Sequence, residues 1–298
     1  MVLNNMTLKK KVLILGSTGM LGHQVVKYFE GTSDFIVNDI SYRKKLSERT
    51  IVLDAMNKVA LEKIIVKLNP DFIINCIGIL IRGDHDQEKI IYLNAYLPHQ
   101  LKRISKKINA KLIHISSDCV FSGLKGQYIE TDLRDGQGLY SQTKKLGEIN
   151  DDTNLTIRTS FIGPELKNDG EGIFHWFMNQ TGNIEGFKKS IWSGVSAIEL
   201  SKAIKWAIEN NITGLYHVTN NSFISKYDLL QLFKKFTKKS IRIKAVDGKP
   251  VDKSFRDTKL LIDYEIPSYE KMIIEMIDLV ASNRVLYSQY KFESFDKR

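Results

Sequence analysis

Tyr140 and Lys144 are two residues whose types and spacing could move a proton. Residues four apart on an α-helix share a face, so the ammonium of Lys144 can approach the phenol of Tyr140. A nearby cation favours the phenolate, which predicts a pKa for Tyr140 below its ordinary value of about 10. Such a phenol could donate or accept a proton near neutral pH. Taken alone, the pair also fits an ordinary amphipathic helix, so its meaning depends on the motifs around it.

Ser117 is a second candidate for chemistry, because it follows a predicted buried strand at 111–115. In open α/β sheets, ligands bind at the carboxyl ends of the strands. The Ser117 hydroxyl could therefore hydrogen-bond a substrate carbonyl beside Tyr140. Serines also cap turns at strand ends, which is the competing interpretation.

A glycine-rich turn lies between a predicted first strand at 11–15 and a predicted first helix at 20–30. Glycines allow a tight turn and a close approach to a pyrophosphate, whose charge the helix N-terminus favours. A glycine-rich connection without a ligand is the alternative. The context favours a dinucleotide site built from Gly16, Ser17, Thr18, Gly19, Met20, Leu21 and Gly22.

The residues after the second predicted strand, at 35–37, bear on which dinucleotide binds. An acid at that strand end takes the adenosine ribose diol, whereas an arginine accommodates a 2′-phosphate. Asp39 offers the acid, and Arg43 and Lys44 offer the cations. We predict NADPH, contacted by Arg43 and Lys44, with NADH as the alternative and a solvated charge run as the competing interpretation.

Five further residues, in three parts of the chain, are expected to line the cofactor or support the site. Asp54 could accept a hydrogen bond from the adenine amino group, or cap the turn that follows it. Cys76, Ile77 and Gly78 end the fourth predicted strand, where they would contact the nicotinamide side or form a plain strand exit. Asn94 lies inside a predicted helix at 88–108, an unfavourable place for asparagine unless its side chain bonds the active-site backbone.

The order of predicted elements indicates an α/β fold, a Rossmann-type doubly wound parallel sheet with a smaller C-terminal substrate-binding lobe. Residues 1–163 are predicted to form the NAD(P)-binding domain, and residues 191–219 are predicted to rejoin it. Residues 164–190 and 220–298 are predicted to form the substrate-binding lobe. The remaining predicted strands lie at 50–53, 71–75, 155–158 and 214–218. The remaining predicted helices lie at 58–68, 140–149, 199–209 and 270–281, with another capped by Ser225.

Composition narrows the functional class. The chain has 298 residues, 43% of them hydrophobic, and no apolar run of the roughly 18 residues that a membrane span needs. The net charge of +10 fits an anionic small-molecule substrate, and no nucleic-acid-binding motif accompanies it. Cys76 and Cys119 are expected to be reduced, buried thiols of a cytoplasmic enzyme, and no metal-ligand spacing is found.

Together these residues resemble the extended short-chain dehydrogenase/reductase family, and within it the subgroup of dTDP-4-dehydrorhamnose reductase and related sugar-nucleotide reductases. The stretches that carry the resemblance are 13–23, 74–78, 114–123 and 214–218. It implies that Ser117, Tyr140 and Lys144 form a catalytic triad. It also implies that the substrate lies near Ser117, Asp118, Phe161 and Trp192, although Trp192 could instead pack between the lobes.

The activity implied is NAD(P)H-dependent reduction of a nucleotide-linked 4-keto-6-deoxyhexose, in the synthesis of cell-surface polysaccharide precursors. The turn at 14–23 is closer to reductases of UDP-linked amino sugars than to those of dTDP-rhamnose. A sugar-nucleotide epimerase or dehydratase of the same fold stays open, as does a non-catalytic NADP-binding regulatory protein. The oligomeric state is also open, with a homodimer as one expectation.

Overall fold

The computed structural model describes residues 9–80, 86–259 and 264–292. Its strands are β1 Lys10–Leu15, β2 Phe35–Ser41, β3 Ile51–Val52, β4 Phe72–Asn75, β5 Lys111–Ser117, β6 Leu155–Thr159, β7 Phe161–Ile162, β8 Asn183–Phe187, β9 Ser190–Trp192, β10 Val195–Ser196, β11 Gly214–His217, β12 Ile224–Ser225, β13 Arg242–Val246 and β14 Val251–Asp252. Its α-helices are α1 Gly22–Glu30, α2 Lys58–Leu68, α3 Gln87–Ile91, α4 Leu97–Lys107, α5 Leu139–Gly147, α6 Ile173–Met178, α7 Ala197–Glu209, α8 Lys226–Thr237 and α9 Tyr269–Ser282.

Seven strands form one parallel sheet in the order β11-β6-β5-β4-β1-β2-β3. Successive residues of β1 point to opposite faces, so Val12 and Ile14 join one core and Leu13 and Leu15 the other. Helices α1 and α7 pack in the first core, and α2 and α4 pack in the second. This arrangement confirms the predicted Rossmann-type doubly wound sheet, and β11 rejoins it as expected.

The predicted continuous helix at 88–108 is wrong in detail. The structure divides it into α3, a π-helical segment at Tyr92–Tyr96, and α4. A π-helical turn inserts one extra residue, and such turns are frequent at functional sites. Here Asn94 lies within the π segment and is fully buried. Apolar periodicity cannot predict this interruption, because both flanking pieces keep helical spacing.

Two strands run further than predicted toward the carboxyl edge of the sheet. β2 continues to Ser41, because its residues pair with β1 as far as Ile40, with Ile14 opposite Asp39, and Ser41 pairs with Val52 of β3. Asp39 is therefore a buried residue inside the strand, not the acid at its end. β5 continues to Ser117, which pairs with Thr159 of β6.

The C-terminal lobe contains a small sheet ordered β12-β9-β14 and a parallel pair of β13 with β8. Helix α8 begins after Ser225, whose hydroxyl accepts from the N–H of Asp228 at 3.0 Å, as predicted for a helix cap. Residues of α8 and α9 belong to the same apolar core as α1 and α7, so lobe and sheet share one interior. Within the described ranges, no helix is both long and apolar enough to cross a membrane.

Candidate active site

The glycine turn after β1 is so tight that the backbone at Gly22 packs directly against the carbonyl of Gly16. Gly16 has φ +82°, a left-handed conformation that favours glycine. A Cβ placed on Gly22 would lie 2.1 Å from the carbonyl oxygen of Gly16, so no other residue fits there without opening the turn. The N–H of Gly19 donates to the same carbonyl at 2.9 Å. The turn is thus shaped by the backbone itself.

This turn fits the pyrophosphate of a dinucleotide. Helix α1 has no acidic residue in its first turn, so its positive end is open to an anion. Among the hydrogen bonds of the described residues, none uses the N–H of Thr18, Met20 or Leu21. The crevice between β1 and β4, where the strand order reverses, is the place where open α/β sheets bind such ligands.

The loop after β4 lies against the glycine turn and against α5, which carries Lys144. A Cβ on Gly16 would lie 3.3 Å from the backbone of both Cys76 and Ile77. A Cβ on Gly78 would lie 3.9 Å from both Asn94 Oδ1 and Lys144 Nζ. The structure therefore brings the predicted cofactor positions 76–78 to the side of the crevice that holds Lys144.

Asn94 holds this loop in place, as the sequence predicted. Its Oδ1 accepts from the N–H of Ile79 at 2.9 Å, and its Nδ2 donates to the carbonyl of Ile79 at 3.0 Å. The same amide lies 3.4 Å from the hydroxyl of Thr143 on α5. Asn94 thus joins the loop after β4 to the helix that carries Tyr140 and Lys144.

Ser117, Tyr140 and Lys144 converge at the carboxyl end of β5. The Ser117 hydroxyl donates to Asp118 Oδ1 at 2.9 Å and accepts from the N–H of Cys119 at 3.1 Å. The phenol of Tyr140 lies close enough to the Ser117 hydroxyl for that hydroxyl to act on its pKa, in the lowering direction. Lys144 donates to the carbonyl of Ile115 at 2.7 Å, which fixes its ammonium beneath Gly78. Within the described ranges its ammonium has no second hydrogen-bond partner, so two of its three N–H groups stay available to a ligand.

The expected lowering of the Tyr140 pKa is wrong for this structure. Burial raises the pKa of Tyr140 above its ordinary value, and nearby Cys119 adds to the effect. Removal from water penalises the charged phenolate more than the surrounding groups stabilise it. Burial also lowers the pKa of Lys144 to about 8, against the raising effect of Glu148. At neutral pH the site therefore combines a protonated phenol with a charged ammonium.

Both cysteines are free, as expected, and both are partly buried. Burial raises the pKa of Cys76 and of Cys119 to about 12, so neither is a thiolate at neutral pH. Thiols of this kind are poor nucleophiles. Among the described residues, no group of three or more His, Cys, Asp or Glu side chains could hold a metal ion.

The positions predicted to select the dinucleotide have separate environments. Arg43 and Lys44 are exposed immediately beyond β2, and their contact with a 2′-phosphate stays a prediction. Asp54 accepts from the N–H of Met56 at 2.9 Å, which is the turn cap that competed with an adenine contact. The adenine contact of Asp54 stays a prediction.

The predicted substrate positions are divided between cleft and core. Asp118 lies beside Ser117, and Phe161 is partly exposed. Trp192 is only 8% exposed, its indole N–H donates to Ser160 Oγ at 2.8 Å, and its ring packs on Tyr269. These contacts correspond to the packing alternative for Trp192, and its stacking on a substrate stays a prediction.

Lys253 and Lys226 were missed from the sequence. Burial raises the pKa of Asp118, and the charges of Lys253 and Lys226 oppose that rise, so both ammonium groups act on the residue next to Ser117. Lys253 follows β14 and Lys226 begins α8, more than a hundred residues from Ser117. The overall basic composition was the available signal, but it did not distinguish these two lysines from surface ones.

Comparison with known proteins agrees with this geometry. The family described as RmlD substrate binding domain matches residues 10–257. The chain belongs to this family. The match covers the sheet, the glycine turn, the Ser117–Tyr140–Lys144 set and the first part of the lobe, and it confirms the resemblance read from the sequence.

Three proteins that are similar to this chain illustrate the names that its relatives carry. Methionine adenosyltransferase 2 subunit beta of Xenopus laevis is 25% identical over 236 residues, 74% of this chain and 70% of the relative. A hypothetical dTDP-4-dehydrorhamnose reductase from Sulfolobus tokodaii is 26% identical, with TM-score 0.75 over 87% of this chain and 98% of its own. A dTDP-4-dehydrorhamnose reductase from Bacillus anthracis, solved with NADP, is 21% identical, with TM-score 0.78 over 91% of this chain and 100% of its own.

Proposed function

We propose that this protein is an NADPH-dependent reductase of a nucleotide-diphosphate-linked 4-keto-6-deoxyhexose. The observation that carries the proposal is the convergence of Ser117, Tyr140 and Lys144 beside a crevice shaped for a dinucleotide pyrophosphate. The NADP-bound relative from Bacillus anthracis and the exposed Arg43 and Lys44 support NADPH, with NADH as the alternative. Either a UDP-linked amino sugar or a dTDP-linked sugar fits the proposal.

The reaction needs an acid next to the substrate carbonyl, and Tyr140 meets that need. When bound, the nicotinamide supplies a hydride to C4 of the sugar. Ser117 and Tyr140 hold the carbonyl oxygen by hydrogen bonds, and Tyr140 gives its proton to that oxygen as negative charge develops. Because an alkoxide is far more basic than a phenolate, the transfer runs toward the substrate even with the raised pKa of Tyr140.

Lys144 completes this chemistry by electrostatics. Its ammonium is buried one helical turn from Tyr140 and is held by the carbonyl of Ile115. A fixed positive charge in a poorly solvated site stabilises the phenolate that Tyr140 becomes after it has given up its proton. The two free N–H groups of Lys144 would bind the nicotinamide ribose.

Lys226 and Lys253 support an anionic substrate. The charges of both lysines act on Asp118, the residue next to Ser117, and both lysines belong to the C-terminal lobe. Two ammonium groups there would attract the diphosphate of a nucleotide sugar. NADPH and nucleotide sugars are cytoplasmic metabolites, so the proposal extends to a cytoplasmic enzyme, as a monomer or a homodimer.

A non-catalytic regulatory protein is the second candidate, because the relative from Xenopus laevis is named a subunit of methionine adenosyltransferase. The complete Ser117–Tyr140–Lys144 set favours the reductase, since a regulatory subunit needs the dinucleotide crevice but not a proton donor. An epimerase or dehydratase would use the same three residues and return the cofactor to its starting state.

One assay separates these candidates. The purified protein is incubated with NADPH and with UDP- or dTDP-linked 4-keto-6-deoxyhexoses, and both the cofactor and the sugar are followed. We expect stoichiometric NADPH oxidation and a sugar product heavier by two hydrogen atoms in mass spectrometry. Sugar conversion without net NADPH oxidation would indicate an epimerase or dehydratase. NADPH binding without conversion of any of these sugars would indicate the regulatory protein.

A further inference from the structure

Glu148, the residue immediately beyond α5, has a carboxylate that accepts four hydrogen bonds although its side chain is only 1% exposed. Oε1 accepts from Ser116 Oγ at 2.7 Å and from Arg158 Nε at 2.8 Å. Oε2 accepts from Arg158 Nη2 and from Arg134 Nη1, both at 2.8 Å. A buried carboxylate satisfied in this way holds its partners in one arrangement.

The donors come from the elements that surround the candidate catalytic residues. Ser116 precedes Ser117 on β5, and Arg158 lies opposite Ser116 on the neighbouring strand β6. Arg134 lies in the segment that leads into α5, and it also donates to the carbonyl of Lys145. The Glu148 carboxylate therefore fixes the end of α5, which carries Tyr140 and Lys144, against the strand that carries Ser117.

Glu148 also sets the charge around Lys144. Burial lowers the pKa of Lys144, and Glu148 is the leading influence that raises it. The other titratable groups facing Lys144 are Cys119, Cys76 and His114. Burial raises the pKa of both thiols to about 12 and lowers that of His114, so these groups are neutral at pH 7. Burial opposes ionisation of Glu148, but its bonds to Arg158 hold its pKa below the ordinary value.

We propose that Glu148 is a positioning residue, which keeps the buried Lys144 ammonium charged and locks α5 against β5. It touches neither substrate nor cofactor and acts through Lys144 and Ser116. The expected effect of Glu148 on turnover rests on the reductase function proposed above. The expected effect of Glu148 on the charge of Lys144 does not depend on that function. Experiments can therefore test the role of Glu148 and the reductase function separately.

The decisive comparison uses two variants with opposite expected effects. Glu148→Gln keeps the side-chain size and removes the negative charge, so the pKa of Lys144 should fall by about one unit. Arg134→Gln removes a positive charge that partly neutralises Glu148, so the pKa of Lys144 should rise. The Arg134 side chain is 36% exposed, so this variant is expected to fold. A purely structural role would not shift one titration in both directions.

The titration of Lys144 is measured by NMR on protein labelled with carbon-13 at lysine Cε, with Lys144→Met to assign its signal. Glu199→Gln is the matched control: the Glu199 side chain is 2% exposed and ion-paired with Lys202, and it lies on α7. We expect this control to lose stability without a change in the Lys144 titration. The pH profile of kcat with NADPH is recorded in parallel, and its alkaline limb should move to lower pH in Glu148→Gln.

Each outcome decides between the proposals. An unchanged Lys144 titration in both Glu148→Gln and Arg134→Gln would overturn the role of Glu148, whatever the enzyme reduces. If Glu148→Gln does not fold, the Arg134→Gln titration decides alone: a rise supports the role and no change overturns it. If the titrations shift as expected but no 4-keto sugar is turned over, the reductase proposal fails while Glu148 retains its effect on Lys144.

Discussion

The crevice proposed to bind the dinucleotide and the site proposed to transfer the proton (the proton-transfer site) lie side by side, but they are built in different ways. The crevice depends on seven consecutive residues, Gly16–Gly22, whose backbone atoms approach so closely that a Cβ added at Gly22 would not fit. The proton-transfer site depends on side chains from β5, α5 and β6 and on lysines from the lobe. The shape of the crevice depends on steric contacts of the backbone, whereas the proton-transfer site depends on charged and polar side chains in a poorly solvated interior.

This difference predicts different failures. A substitution in the turn should damage cofactor binding through geometry, and it should do so at every pH. A substitution among the charged groups should change turnover, substrate affinity or pH dependence while the turn keeps its shape. Four substitutions test the distinction, taken from the largest expected effect to the smallest.

Tyr140→Phe should lower kcat by about a thousandfold, because the general acid is removed. The phenyl ring keeps the packing of Tyr140, so the dissociation constant for NADPH, measured by fluorescence titration, should change little. Tyr96→Phe is the control, since Tyr96 is 39% exposed on the π-helical segment and lies outside the site. Turnover near the wild-type rate in Tyr140→Phe would remove Tyr140 from the mechanism.

Gly22→Ala should weaken NADPH binding by roughly 100-fold, the loss expected when two charge-assisted hydrogen bonds to phosphate are misaligned. The added Cβ would lie 2.1 Å from the carbonyl oxygen of Gly16, so the turn must open. In the control Gly31→Ala, the nearest atom is 3.4 Å away and φ is −73°, which any residue tolerates. Equal NADPH affinity in both variants would show that the turn does not hold the pyrophosphate.

Lys253→Met should raise KM for the nucleotide sugar roughly tenfold, the effect of one charge-assisted contact to the diphosphate. KM for NADPH should stay unchanged, because Lys253 lies on the lobe side of Ser117. Lys249→Met tests a nearby exposed lysine of the same segment and should change neither constant. If Lys249→Met weakened substrate binding as much as Lys253→Met, general surface charge rather than a specific contact would be responsible.

Arg43→Ala should lower the preference for NADPH over NADH by about fivefold, measured as the ratio of the two kcat/KM values. The effect is small because Arg43 is exposed and Lys44 remains beside it. Lys45→Ala, which removes a surface ion pair with Glu48, is the control and should leave the ratio unchanged. An unchanged ratio in Arg43→Ala would show that Arg43 does not recognise the 2′-phosphate of NADPH.

Most of the sheet could be predicted from the sequence because its signals are local. Buried apolar runs mark β1, β4 and β5, and α2 was predicted at its observed bounds, 58–68. The π-helical segment was not predicted, because the helical spacing of apolar residues continues through it. The end of β2 was also misplaced, since pairing with β1 and β3, not the composition of β2, carries the strand to Ser41.

The site was predictable in part for the same reason. Motif spacing indicated Ser117, Tyr140 and Lys144 as one set, and the structure brings them together. The sign of the Tyr140 pKa shift was wrong, because helical spacing shows which charge is near but not how much water the fold removes. No local pattern singles out Glu148, since its partners at 116, 134 and 158 become neighbours only in the folded chain.

The sequence by itself determined the parallel sheet, the glycine turn and the types of the residues that do chemistry, because these depend on local propensity and spacing. The tertiary structure alone decided their ionisation, the burial of Trp192 and Asp39, and the approach of Lys226 and Lys253 to Asp118. The physical reason is that burial and long-range charge are properties of the packed chain. No short stretch of sequence carries them.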